Sequence, residues 1–142
     1  MSLADVIIPT REVALGEYRT SVRGISLNDV SALLRDHLAE LSSLFDMYDN
    51  EETRETAMAA SASFAIRLVQ EAPDMVATAI VLLTDSPDSD LAKARKFPLG
   101  WQVELIRVAL EVTFEEAGGA KKFLDKMMAM VRSVRPKTKA LG

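Results

Sequence analysis

The chain has no cysteine, one histidine and one tryptophan among its 142 residues. The missing thiols exclude disulfides, thiolate metal sites and cysteine nucleophiles together, and they are compatible with a reducing, cytoplasmic setting. A lone histidine, His37, makes no zinc site without carboxylates at ligand spacing, and no Ser–His–Asp order is readable around it. Long hydrophobic runs are missing too. The richest, MVATAIVLL (Met75–Leu83), is about half of the roughly 20 residues a membrane span needs. The opening stretch MSLADVIIPTREVALG lacks the serial basic segment, apolar core and cleavage site of a secretory signal. DSPDSD (Asp85–Asp90) lacks the glycine and terminal glutamate of a calcium loop. Gly118-Gly119 follows a helical pattern rather than a strand, so it is no phosphate cradle. No catalytic group, cofactor, metal or membrane contact is expected.

What is present fits one globular domain over 1–142: hydrophobic residues are 49% and charged residues 27%, far from a disordered composition. The formal charge of −4 hides an asymmetry. Residues 1–118 hold 10 basic and 20 acidic side chains, whereas 119–142 hold seven basic ones against Asp125 alone. A basic end on an acidic body can meet nucleic acid, an acidic protein surface or its own body, or simply be a solvated face. Only Phe123 stands among these cations as a stacking group, so tight nucleic-acid binding is not expected.

REVAL and YRTSVRG flank Gly16-Glu17. Tyr18, Thr20 and Val22 alternate with Arg19, Ser21 and Arg23, the pattern of a short hairpin or edge strand within residues 1–25. From Ser26 the period becomes helical, with Ser26 and Asp29 placed as a capping box and Val30, Leu33, Leu34, Leu38, Leu41, Leu44 and Phe45 as one apolar stripe. His37 lies on that stripe and is expected to be structural, since adjacent Asp36 points to another face. A second helix over 50–71 starts with Glu51, Glu52 and Glu55, contains the small-residue run AMAASASFA, and buries Phe64 and Leu68. Pro73 suits the first turn of an apolar third helix, about 74–84. TDSPDSD reads as an exposed loop, and LAKARKF as a short helix closed by Pro98. On the next helix Glu104, Arg107, Glu111 and Glu115 form the single polar stripe, so most of its circumference is buried. Gly118-Gly119 ends it. A last helix covers 120–134, and 135–142 is expected to be a flexible basic tail. The fold class is mainly α: five or six helices with an N-terminal β element, the helical body running over 26–134.

Met127, Met128 and Met130, with Phe123, Leu124, Val131 and Val134, make an apolar face wide enough for core and partner alike. Methionine is flexible and polarizable, which suits surfaces that accept varied apolar partners.

Two segments resemble a known family. SVRGISLNDVSALLRDHLAELSSLFD (Ser21–Asp46) has a strand ending VRG, a hydrophobic-Ser-Leu-x-Asp helix start and a leucine-rich helix finishing at LFD. FPLGWQVELIRVALEVTFEEAGGAKKFLDKMMAMVRSV (Phe97–Val134) has a hydrophobic-Pro helix start, a TFEEAGG break and a lysine-flanked terminal helix. Both are similar to tail assembly chaperones of long-tailed bacteriophages and prophages, the small proteins encoded just ahead of the tape measure protein. The two blocks cover 64 residues, and the middle, 47–96, carries little that is distinctive. The resemblance implies a non-enzymatic protein that binds the aggregation-prone tape measure protein while the tail tube polymerises, with the tail tube protein as a further partner. It also implies homo-oligomers, and a short form alongside a frameshifted longer one, of which this chain resembles the short form. A tape measure protein is a long amphipathic helix, and such helices dock through apolar anchors in a groove. Client contacts are therefore expected at Trp101, Phe123, Met127 and Met130, rimmed by Lys121, Lys122 and Lys126. The alternative is a small helical adaptor or regulatory domain for a non-phage partner.

Overall fold

The computed structural model describes residues 2–47 and 61–134. Strands β1 (Thr10–Leu15) and β2 (Tyr18–Arg23) form an antiparallel hairpin with Leu15 opposite Tyr18 and Thr10 opposite Arg23. Its turn is Gly16-Glu17, where Gly16 takes φ +63° and lies against the Trp101 ring. Alternation orients the hairpin as expected. Val13, Leu15 and Val22 are buried, while Arg19 and Ser21 face solvent.

Six α-helices follow among the described residues: α1 (Leu27–Met47), α2 (Ser61–Glu71), α3 (Pro73–Leu83), α4 (Leu91–Arg95), α5 (Leu99–Ala117) and α6 (Ala120–Val134). The fold is mainly α with a two-stranded hairpin, as the sequence periods require. The acidic helix start at Glu51–Glu55, the first part of the small-residue run and the basic tail at 135–142 lie outside the described residues, as do the side chains of Leu44, Phe45 and Val134.

Two helix starts and one helix end have local causes. The Ser26 amide donates to Asp29 Oδ2 at 2.8 Å and the Asp29 amide donates to Ser26 Oγ at 3.2 Å, a reciprocal capping box for α1. Pro73 takes the first position of α3, where its missing N–H costs little. α5 ends where Gly118 turns left-handed (φ +84°). The Gly119 amide then donates to Phe114 O at 2.8 Å and the Gly118 amide to Glu115 O at 3.4 Å, which satisfies two otherwise orphaned carbonyls.

α5 is the spine. Leu105, Ile106, Val108 and Ala109 meet the hairpin, α2 and α3 in one apolar cluster, and Phe114 joins α1 and α6 in a second. Its polar stripe is an ion-pair ladder. Arg107 pairs with Glu104 and, at 2.7 Å, with Glu111, and Arg11 of β1 reaches across to Glu111 at 3.2 Å and Glu115 at 2.8 Å. These groups are partly exposed, so the ladder fixes register more than it adds stability.

The tightest polar node joins three elements. Arg23, at the end of β2, grips Asp29 at 2.5 and 3.1 Å, Asp85 at 3.0 Å and the Leu82 carbonyl at 2.9 Å. Only 5% of the Asp29 side chain is exposed. Burial works against its charge, but the Arg23 guanidinium and the Ser26 amide and hydroxyl outweigh that and hold its pKa below the usual carboxylate value. Asp85, a non-glycine at φ +54°, bends the loop after α3 so that its carboxylate faces Arg23. TDSPDSD is thus an exposed loop with one anchored residue.

Candidate interaction surface

Helix α6 carries most of the residues expected to meet a partner, and the structure divides them. Leu124, Met127, Met128 and Val131 are buried against α1 and α5. Met127 also lines an apolar cavity of about 90 Å³, together with Leu33, Phe64, Met75, Leu110 and Leu124. Phe123 and Met130 are half-buried, Lys121 is half-buried, and Lys122 and Lys126 are exposed. Residues seven apart share one side of a helix. Phe123 and Met130 therefore form a short apolar strip along one flank of α6, with Lys126 between them in sequence. Phe123 is held by a tilted contact with Phe114, ring centroids 5.7 Å apart. Met127, though adjacent to that strip, is reached from outside only if α6 moves.

Trp101 lies elsewhere. It sits in the first turn of α5 in edge-on contact with Phe97 (5.5 Å) and Tyr18 (6.2 Å), beneath the hairpin turn. Sixteen helical residues separate it from the end of α5, about 24 Å at 1.5 Å per residue. Trp101 and Phe123 are thus at opposite ends of the spine and cannot share one compact contact.

A second apolar surface has no counterpart in the helix and strand periods of the sequence. The segment ahead of β1 begins with a single turn at Leu3–Asp5 and then extends, Val6 having φ −79° and ψ 129°. Its aliphatic side chains point outward: Leu3 is 90% exposed, Ile7 88%, Ile8 65% and Val6 54%. Beside this arm runs a surface groove of about 530 Å³, lined by Ile8 and Pro9 of the arm, Ile25 of the β2–α1 link, Thr113, Glu116 and Ala117 of α5, and Phe123 of α6. The groove exists because the β2–α1 link passes close over α5. The Ile25 amide donates to Thr113 Oγ1 at 3.0 Å, and a Cβ on Gly24 would stand 3.4 Å from Thr113 Cα. The signal in sequence was the run VIIP, four residues with no polar group. Its period matches neither a helix nor a half-buried strand.

His37 has a structural setting. It interrupts α1 with φ −135° and ψ 33°, and its side chain is 13% exposed. Nδ1 stands 3.0 Å from Glu40 Oε1 and Nε2 3.0 Å from Thr78 Oγ1, so both ring nitrogens are engaged and the kink is tied to α3. Among the described residues no cluster of three His, Asp or Glu side chains could hold a metal ion, and no helix is long and apolar enough to cross a membrane.

Fold and surface together define a mainly helical protein with a β-hairpin, whose distinctive exposed features are apolar rather than titratable. The chain belongs to the pre-tape measure protein family, whose model matches residues 1–142, and it is therefore a phage tail-related protein. No curated protein and no solved structure matches it.

Proposed function

We propose that this protein is a non-enzymatic tail assembly chaperone, which binds the tape measure protein in the host cytoplasm and keeps it soluble while the tail tube forms. Membership of the pre-tape measure family over the whole chain carries this reading. The surface supports it chemically. A tape measure helix presents apolar side chains about every turn, and the α6 flank offers Phe123 and Met130 about two turns apart on one helical face, with Lys122 and Lys126 exposed to meet flanking carboxylates. Lys121 stands at the same rim, and Met127 backs the strip from the core. Trp101 joins the contact only for a client helix of about 16 residues or more, long enough to run the length of α5. Length is what a tape measure protein has.

Co-expression with the tape measure protein is the test, scored by soluble client and by a complex on size exclusion. Wild type should rescue the client. Phe123→Lys with Met130→Lys should lower the yield of complex at least tenfold while the circular dichroism of the chaperone stays unchanged. A client equally insoluble with and without the wild-type protein sinks the chaperone reading. Full rescue by the double variant removes α6 from the contact and leaves the chaperone reading standing.

A further inference from the structure

Two hollows meet at Phe123. One is the surface groove beside the arm, and the other is the apolar cavity of about 90 Å³ between α6 and the helices it packs on. Ile25, Thr113 and Phe123 line both, so these three form the wall between them. Ile25 and Thr113 are joined by the 3.0 Å amide-to-hydroxyl bond and part only by losing it. The half-buried Phe123 ring is therefore the movable piece of that wall.

The cavity selects its guest by polarity and size. Only Thr113 among its lining residues has a polar side chain, and that oxygen already accepts from the Ile25 amide. A water molecule needs about two to four polar partners and lacks them here. At about 90 Å³ the space is smaller than the roughly 150 Å³ that takes benzene, so it suits one branched aliphatic group rather than an aromatic ring. Met75 and Met127 on its wall are flexible enough to re-form around such a group. We infer, on the chaperone reading above, that the cavity seats a single aliphatic anchor side chain of the client, which enters from the groove as Phe123 swings aside, with a cationic side chain of the client beside it.

The charge at the entrance gives the cation. Two charged residues line the groove, Arg23 and Glu116. Arg23 is taken up by Asp29 and Asp85, whereas the exposed Glu116 has no ion-pair partner among the described residues. The groove therefore offers one uncompensated carboxylate next to the way in. The chain is also built to yield at this point. Gly118 and Gly119 both have positive φ (+84° and +122°), and Phe123 follows them in the first turn of α6. Such a pair absorbs a change of backbone angle at little steric cost, as hinge residues do. A deep seat also suits the energetics of recognition, since binding energy concentrates in the few side chains that fill a partner's pocket. The strip of Phe123 and Met130 then lies beside the anchor.

Xenon, an apolar probe that needs no hydrogen bond, tests the cavity without a client. Under xenon the methyl resonances of Met75 and Met127 should shift saturably in the wild type. They should stay in place in Ala79→Leu, whose longer side chain fills the space from half-buried Ala79 on α3. Ala109→Val fills it from α5 and stands in if the first variant folds poorly. With the tape measure protein co-expressed, a folded filled variant should lower the yield of soluble complex on the order of tenfold, although Phe123 and Met130 are unchanged. Glu116→Lys should lower it about threefold. Wild-type methyls that do not respond to xenon overturn the site. A filled variant that folds and holds the client like the wild type overturns the anchor and leaves the chaperone reading standing, and an unaffected Glu116→Lys overturns the cation beside it. A wild type that rescues no client sinks the chaperone reading and this occupant with it.

Discussion

Residues 3–8 and residues 10–29 are neighbours in the chain and opposites in how they are held. In the second stretch Val13, Leu15 and Val22 are in the core, Arg11 pairs with two glutamates of α5, and Arg23 binds Asp29, Asp85 and a carbonyl. In the first, four aliphatic side chains face water, and the bonds made by Ser2, Asp5 and Val6 stay within the first turn. Six ordered residues cost roughly 6–12 kcal/mol of backbone entropy, which must be offset by contacts made somewhere. For 10–29 the offsetting contacts are inside the molecule. For 3–8 few are available, because the aliphatic side chains face water, and that difference separates a core element from a surface one.

The sharpest way to break the comparison is to orphan the node that anchors the well-held side. Arg23→Ala leaves Asp29 charged, 5% exposed and without its guanidinium, a change that costs about 3–5 kcal/mol. Urea denaturation should show a loss of that size, enough to unfold a marginal domain. Nothing comparable is available in residues 3–8, where there is no buried pair to break.

A smaller effect comes from pH. Asp29 has a folded pKa below its ordinary 3.8, so the stability it contributes is complete above that value. As pH falls from about 4 through the lower folded value, the carboxylate takes up a proton in the unfolded chain first, and the contribution is lost. Melting temperature measured down through this window should fall more steeply for the wild type than for Asp29→Asn. Equal slopes would mean that the pair with Arg23 contributes nothing net.

Local features were readable because local sequence causes them. The Ser26–Asp29 box, Pro73, the Gly118-Gly119 stop and the alternation of Tyr18, Thr20 and Val22 each act within a few residues, and each appears where expected. Long-range partners were not. Asp85 and Arg23 are 62 residues apart, Arg11 and Glu115 are 104 apart, and no periodicity connects them. The kink at His37 has no glycine or proline to announce it; its visible partner is Thr78, 41 residues on. The methionines show the limit most plainly. Met127 and Met130 look alike in sequence, and only the placement of α1 and α5 decides that one is core and the other lies at the flank. The arm inverts the usual rule, because its apolar residues predict burial and the fold leaves them exposed.

The smallest predicted effect sharpens the comparison most. Ile7→Ser and Val13→Ser make the same kind of exchange six residues apart in one continuous segment. At Val13, 2% exposed, the change removes core packing and buries a hydroxyl, so the unfolding free energy should fall by about 2–4 kcal/mol. At Ile7, 88% exposed, it should move by no more than about 0.5 kcal/mol. An Ile7→Ser protein as damaged as Val13→Ser would place the arm in the fold rather than on its surface.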